Sequence, residues 1–159
     1  MDDSLFFQML MASKQSNKAM AALGRLMHSD KSRIEGLGIL ARCGVEVSDE
    51  EASLPYRTVA VAFSLKGSEN LSSRARNFGN TLKLARGFVE PGASSPLDRR
   101  FDKMVAAGTV KSLVEHHLLR LLPLVKEQEI NYNMLLQDLK WWGKGNTVRN
   151  KWIEGYYTP

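Results

Sequence analysis

The sequence predicts an all-α protein built as a two-lobed helical bundle. Three observations carry that expectation. Apolar residues recur at the three-to-four-residue spacing of a helix along most of the chain, and no stretch keeps up the strict alternation of a strand. The stretch "EPGASSP" at 90–96 interrupts the helical pattern with turn-forming residues. The expected division is therefore an N-terminal helical lobe over 1–90 and a C-terminal helical bundle over 97–159.

Residues 4–14 and 17–28 read as two helices broken near Ser16 and Asn17, with Leu5, Met9, Met20, Leu23 and Met27 on the apolar side. "KSRIEGLGILARCG" is a shorter helix weakened by Gly36 and Gly38 and stopped by Gly44. In the acidic connector "VEVSDEE", Ser48 and Glu51 have the spacing of a capping box. Pro55 fits the first turn of the next helix, which places Tyr56, Val59, Ala60 and Phe63 on one side and ends at Gly67. In "NLSSRARNFGNTLKLARG", Leu71, Ala75, Phe78, Leu82 and Ala85 form one buried stripe, leaving Arg76 and Lys83 on an outer flank.

Beyond the linker, a helix is expected over about 97–107. Another follows in "TVKSLVEHHLLRLLPLVKEQ", where Pro123 kinks or ends a wide apolar stripe. "NYNMLLQDLKWWG" is a helix halted by Gly143, and "TVRNKWIEGYY" is the last one.

At 159 residues the chain is long enough to bury a core, and its 43% hydrophobic content leaves little room for extensive disorder. No segment approaches the roughly 18 consecutive apolar residues of a membrane span. The first residues, "MDDSLFFQMLMASKQ", are acidic where a signal peptide is basic, so the expected location is the cytoplasm.

Catalytic and metal-binding patterns are lacking. The one cysteine, Cys43, can close no internal disulfide and, with three scattered histidines, makes no zinc site. His116 and His117 point about 100° apart on a helix, unlike an i, i+4 ligand pair, and His117 reads as a core histidine. There is no phosphate loop, nucleophile elbow or paired-carboxylate spacing with a histidine. The reading is a protein without a catalytic site, a metal or a cofactor.

What remains is positive charge. The net charge is +5, and the segment from Arg57 to Arg86 holds six Lys or Arg against one acid, Glu69. Arg57, Arg76, Lys83 and Arg86 populate the N-terminal half; Arg99, Arg100, Arg120, Lys140, Lys144, Arg149 and Lys151 populate the C-terminal half. A groove of such cations can track phosphates through counterion release without reading sequence. Each cation taken singly equally suits a solvated helix face. Among the tryptophans, Leu135, Leu139 and Trp142 recur at i, i+4, i+7, which marks Trp142 as core; Trp152 is expected to pack as well, and Trp141 fits either packing or base stacking.

The C-terminal stretch "INYNMLLQDLKWWGKGNTVRNKWIEGYY" resembles the signature of CasB, the small subunit of the type I-E CRISPR surveillance complex, Cascade. Upstream, "NFGNTLKLARG", "LDRRFDKMVAA" and "HHLLRLLPLV" are similar to the family's Gly-x-x-Leu, Arg-Arg-Phe and His-Leu-x-Arg-Leu segments, in the same order. The resemblance covers about residues 55–157 well, and the first 50 by helical character alone.

It implies an all-helical, two-lobed, non-catalytic subunit. Such a subunit sits in two copies beside the backbone and large subunits of Cascade and stabilises the R-loop formed by CRISPR RNA and target DNA. Sequence choice is left to base pairing with the guide. By the same resemblance the basic positions fall on Arg99 or Arg100, Arg120, Lys144 and, more loosely, Arg57 and Arg25. Two departures lower the charge: Leu119-Arg120 stands where many relatives carry two arginines, and the turn "WGKGN" is basic at one position after Gly143. The competing reading is a helical adaptor whose basic faces meet an acidic protein.

Overall fold

A computed structural model describes residues 3–66 and 76–159, and every regular element among them is helical. No helix among the described residues is long and apolar enough to cross a membrane. The chain separates into two compact units, Met1–Leu71 and Ser72–Pro159.

In the first unit, α1 (Ser4–Ser13) and α2 (Asn17–Gly24) are broken where expected, because Ser16 is extended and its hydroxyl caps α2 by accepting the Ala19 N–H at 3.1 Å. The buried face of α1 lies one position away from the expected stripe. Leu5 is 53% exposed, whereas Phe6 and Leu10 are fully buried and Phe6 meets Tyr56 edge-on at 5.1 Å. In α3 (Ile34–Arg42), Gly36 does more than weaken the helix: a Cβ there would stand 2.7 Å from the Ala22 carbonyl oxygen, so its absence lets α3 approach α2. Gly44, at φ +89°, terminates the segment as expected.

α4 (Glu50–Lys66) is the central helix of this unit, buried continuously from Ser53 to Phe63. Its start differs from expectation in two respects. The cap is Asp49, whose carboxylate accepts the Ala52 N–H at 3.0 Å, rather than Ser48. Pro55 lies inside the helix, not in its first turn, so the Glu51 carbonyl receives no i+4 hydrogen bond. Burial of the Tyr56, Val59, Ala60 and Phe63 face outweighs that loss. The expected stop at Gly67 lies outside the described residues.

The second unit contains α5 (Phe78–Arg86), α6 (Pro96–Val105), a composite helical segment from Val110 to Val125, α9 (Tyr132–Trp141) and α10 (Thr147–Tyr157). The composite segment runs as α7 (Val110–Leu113), a π turn (Val114–Leu118), α8 (Leu119–Leu121) and a 3₁₀ turn (Leu122–Val125) at Pro123. The sequence reading assigned α5 to an N-terminal lobe ending at 90, but the units divide at 71/72 and α5 packs against α10.

The reason is a glycine contact: a Cβ on Gly79 would lie 2.1 Å from the Trp152 carbonyl oxygen, so only glycine allows the two backbones to meet. Asn77 and Asn80 cap α5 reciprocally and also reach α10, donating to the carbonyls of Lys151 at 2.9 Å and Gly155 at 3.1 Å. Phe78 and Leu82 are buried as expected, while Leu71 and Ala75 lie outside the described residues.

A second tie joins three helices at Asp98 of α6. Its carboxylate accepts the Ser95 N–H at 2.9 Å, the Tyr156 hydroxyl at 2.6 Å and the Arg86 guanidinium at 3.5 Å. Partial burial alone pushes this carboxyl up, but the three donors together hold it below the usual carboxylate range.

Three substitutions carry expected outcomes. Gly79→Ala is expected to destabilise the second unit by about 3 kcal/mol, at the upper end of overpacking costs. Gly38→Ala, where a Cβ meets nothing within 4 Å, is expected to stabilise by about 0.5–1 kcal/mol; urea melts of both variants check this. A folded-state carboxyl held low contributes stability above its unfolded value that is lost as pH falls through its folded value. Asp98→Asn should therefore melt below the wild type at pH 7, and the gap should close as pH drops below about 4 in a melting series across pH.

Candidate nucleic-acid interface

Within the second unit, Arg100 and Lys103 stand three residues apart on α6 and share a helix face. Opposite them the Val110–Val125 segment makes its π turn, marked by the Leu119 N–H reaching back to the Val114 carbonyl. Together they enclose an open cavity of about 390 Å³ lined by Arg100, Lys103, His116, His117, Arg120 and Leu121. No carboxylate lines it. One arginine Nη of Arg100 donates to the Arg120 main-chain carbonyl at 3.4 Å, a weak contact that leaves most of the guanidinium's donors facing outward.

His117 is half-buried and lines this cavity, so it is not the core histidine that the apolar stripe suggested. Burial is the main cause of its lowered pKa, and His116, Arg120 and Lys103 add positive charge that works the same way. It is held neutral near pH 7, and the fixed charge of the cavity comes from Arg100, Lys103 and Arg120. Lys103 and the two histidines were missed in the sequence; the i, i+3 spacing of Arg100 and Lys103 was the available signal.

The remaining sequence-nominated cations sort by what they already hold. Arg57 departs most from expectation. It is 6% exposed, and its guanidinium donates to Glu50 through both carboxylate and main-chain oxygens at 2.9 and 2.8 Å and to the Ser53 hydroxyl at 3.2 Å. Its buried guanidinium is thus paired with the exposed Glu50 carboxylate within the first unit.

Arg149 is likewise turned inward: one Nη donates to the Ala107 carbonyl at 2.9 Å, the other to the Asn146 side chain at 2.8 Å, and the guanidinium lies over Trp142. Arg25 is half-buried, with Glu35 at 3.8 Å and the Ser32 carbonyl at 3.4 Å. Lys83 donates to the Thr158 carbonyl. Arg76 precedes the Asn77 cap rather than standing on the helix flank, so it does not share a face with Lys83. Arg99, Arg100, Arg120, Lys144 and Lys151 are exposed.

The α9–α10 corner divides the tryptophans. Trp152 is fully buried and donates its indole N–H to Asp138 at 2.8 Å; Trp142 is 3% exposed and donates to the Ala107 carbonyl at 3.0 Å. Burial pushes the Asp138 carboxyl up, against the lowering effects of Trp152 and Lys151. Trp141 is 57% exposed, with the Lys144 ammonium 4.8 Å from its ring centre.

In the first unit a larger cavity of about 640 Å³ between α1, α2 and α3 mixes Lys18 and Arg42 with Glu35 and apolar side chains, so its lining carries no single sign of charge. Among the described residues no three His, Cys, Asp or Glu side chains are grouped to hold a metal.

Neither the curated proteins nor the solved structures yield a match to the chain. A family model does match, over residues 10–157 and so across segments that the motif resemblance reached only by helical character. By that match the chain belongs to the CRISPR-associated protein Cse2 family, the small subunit of the type I-E Cascade complex.

Proposed function

We propose that this chain acts as a non-catalytic subunit that grips nucleic-acid backbones without reading sequence and thereby keeps the R-loop of Cascade open. The observation that carries the proposal is the acid-free cavity where Arg100, Lys103 and Arg120 converge. Three permanent cations beside two histidines suit a phosphate backbone, and hydrogen bonds from guanidinium groups to phosphate oxygens are charge-assisted. The exposed Arg99, Lys144 and Lys151 extend the same chemistry, with Arg76, Lys83 and Arg25 as secondary contacts.

In this reading the partners are CRISPR RNA and target DNA, held as guide-target duplex and displaced strand. The backbone subunits, the large subunit and a second copy of the chain provide the assembly, which works in the cytoplasm. Sequence choice stays with the guide, consistent with cations presented singly and in a cavity rather than on a helix shaped to read base edges.

Replacing Arg100, Lys103 and Arg120 together with alanine should leave the melting temperature near the wild-type value. It should weaken DNA binding and make the slope of log affinity against log salt shallower by about 2–3, since each lost duplex phosphate contact removes about 0.9. Fluorescence anisotropy with random single-stranded and duplex DNA across a salt series checks this, repeated with target DNA on the assembled complex. Equal slopes would sink the proposal and favour the acidic-protein adaptor. Arg149→Ala should behave oppositely, lowering stability by about 1–3 kcal/mol as the charge-assisted hydrogen bonds of its guanidinium to the Ala107 carbonyl and the Asn146 side chain are lost.

A further inference from the structure

We infer that Trp141 is a nucleobase-stacking platform, with Lys144 holding the phosphate beside the stacked base. The inference rests on the nucleic-acid reading above and names a contact of a different kind, to the base rather than to the backbone.

The geometry isolates this side chain. Both other tryptophans of the corner have their indole N–H groups satisfied and their rings packed, 4.9 Å apart between centroids. Trp141 follows Lys140 at the end of α9, about 100° around the helix from Trp142, so burial of one indole turns the other outward. An indole that is 57% exposed contributes little to the core while presenting a broad apolar face to solvent.

The turn after it is shaped by glycines at φ +60° and +111°, Gly143 and Gly145, and the Lys144 N–H closes on the Trp141 carbonyl at 3.1 Å. That closure brings the lysine ammonium over the ring, where the electron-rich face attracts it.

Charge selects the occupant. From Lys140 to Lys151 the chain carries Lys140, Lys144, Arg149 and Lys151 and no carboxylate. An aromatic face with a lysine ammonium beside it, on a stretch of chain without a carboxylate, suits a ligand that joins a flat ring to an anion, and an unpaired nucleotide is that ligand. Paired bases keep their faces inside the duplex, so the site favours single strands. Stacking tolerates any base, because every base has a π face.

The full-length chain tests this by tryptophan emission. Titration with a single-stranded oligonucleotide should quench the emission, whereas an abasic oligonucleotide of equal length and charge should bind more weakly and leave the emission unchanged. Trp141→Ala should bind the base-containing strand about 5- to 150-fold more weakly, the range that loss of one stacked base corresponds to, while binding the abasic strand like the wild type.

Trp141→Phe should restore much of that affinity. Lys144→Ala should keep the quenching but make the salt slope shallower by about 0.7. Equal affinity of wild type and Trp141→Ala for the base-containing strand overturns the inference and leaves the backbone-grip reading standing. If neither strand binds at low salt, both readings fall.

Discussion

The second unit depends on one steric condition: at Gly79 the backbone of α5 must touch the backbone of α10 at Trp152, with no room for a single methyl group. Close approach brings the Asn77 and Asn80 side chains within reach of the α10 carbonyls of Lys151 and Gly155. It also seats the Trp152 ring between Phe78 at 5.5 Å and Trp142 at 4.9 Å. From there the consequences run outward in order. Trp152 holds Asp138 of α9, Trp142 holds the carbonyl of Ala107, and Arg149 shares that carbonyl. The turn between α9 and α10 is thereby closed at both ends, and its exposed residues are positioned by a core they do not belong to.

The same bookkeeping of donors separates cations that fasten from cations that remain available. An inward-turned guanidinium needs hydrogen-bond acceptors to be tolerated, and Arg57, ion-paired with Glu50, and Arg149, bonded to Ala107 and Asn146, find them among carbonyls and side chains of their own unit. Arg100, Lys103 and Arg120 line one open cavity whose lining holds no carboxylate, so no acid in that lining competes with an incoming anion.

Much of this was legible in the chain. The helical period, the glycine stops at Gly44 and Gly143, the packing role of Trp142 and Trp152, and the family resemblance all rest on local spacing, and the structure and the family match agree with them. What escaped depended on neighbours distant in sequence. Gly79 reads as an ordinary helix weakness until α10 is known to lie against it, so the allegiance of α5 was misassigned. Pro55 reads as a first-turn residue because its cost is local, while the burial that offsets it is tertiary. The charge of Arg57 carried no mark of its burial. The π turn that carries His116 and His117 toward α6 leaves no period of its own in so short a stretch, so the cavity could not be assembled from sequence, although the pairing of Arg100 with Lys103 could have been noticed.

Family resemblance located basic positions, but physical setting ranks them. Of the nominated cations, those in "DRRF", "LLRLL" and "WWGK" are solvent-facing, and those in "PYR" and "TVRN" are drawn inside. A rigid corner matters for the exposed set because ordering a long basic side chain on binding costs rotamer and loop entropy. Lys144 has part of that cost already met, since its backbone is fixed by the turn and its ammonium rests on an indole rather than roaming in solvent. Two buried tryptophans hold the corner still, and the stillness is what makes the third tryptophan and its lysine a defined surface rather than a flexible tip.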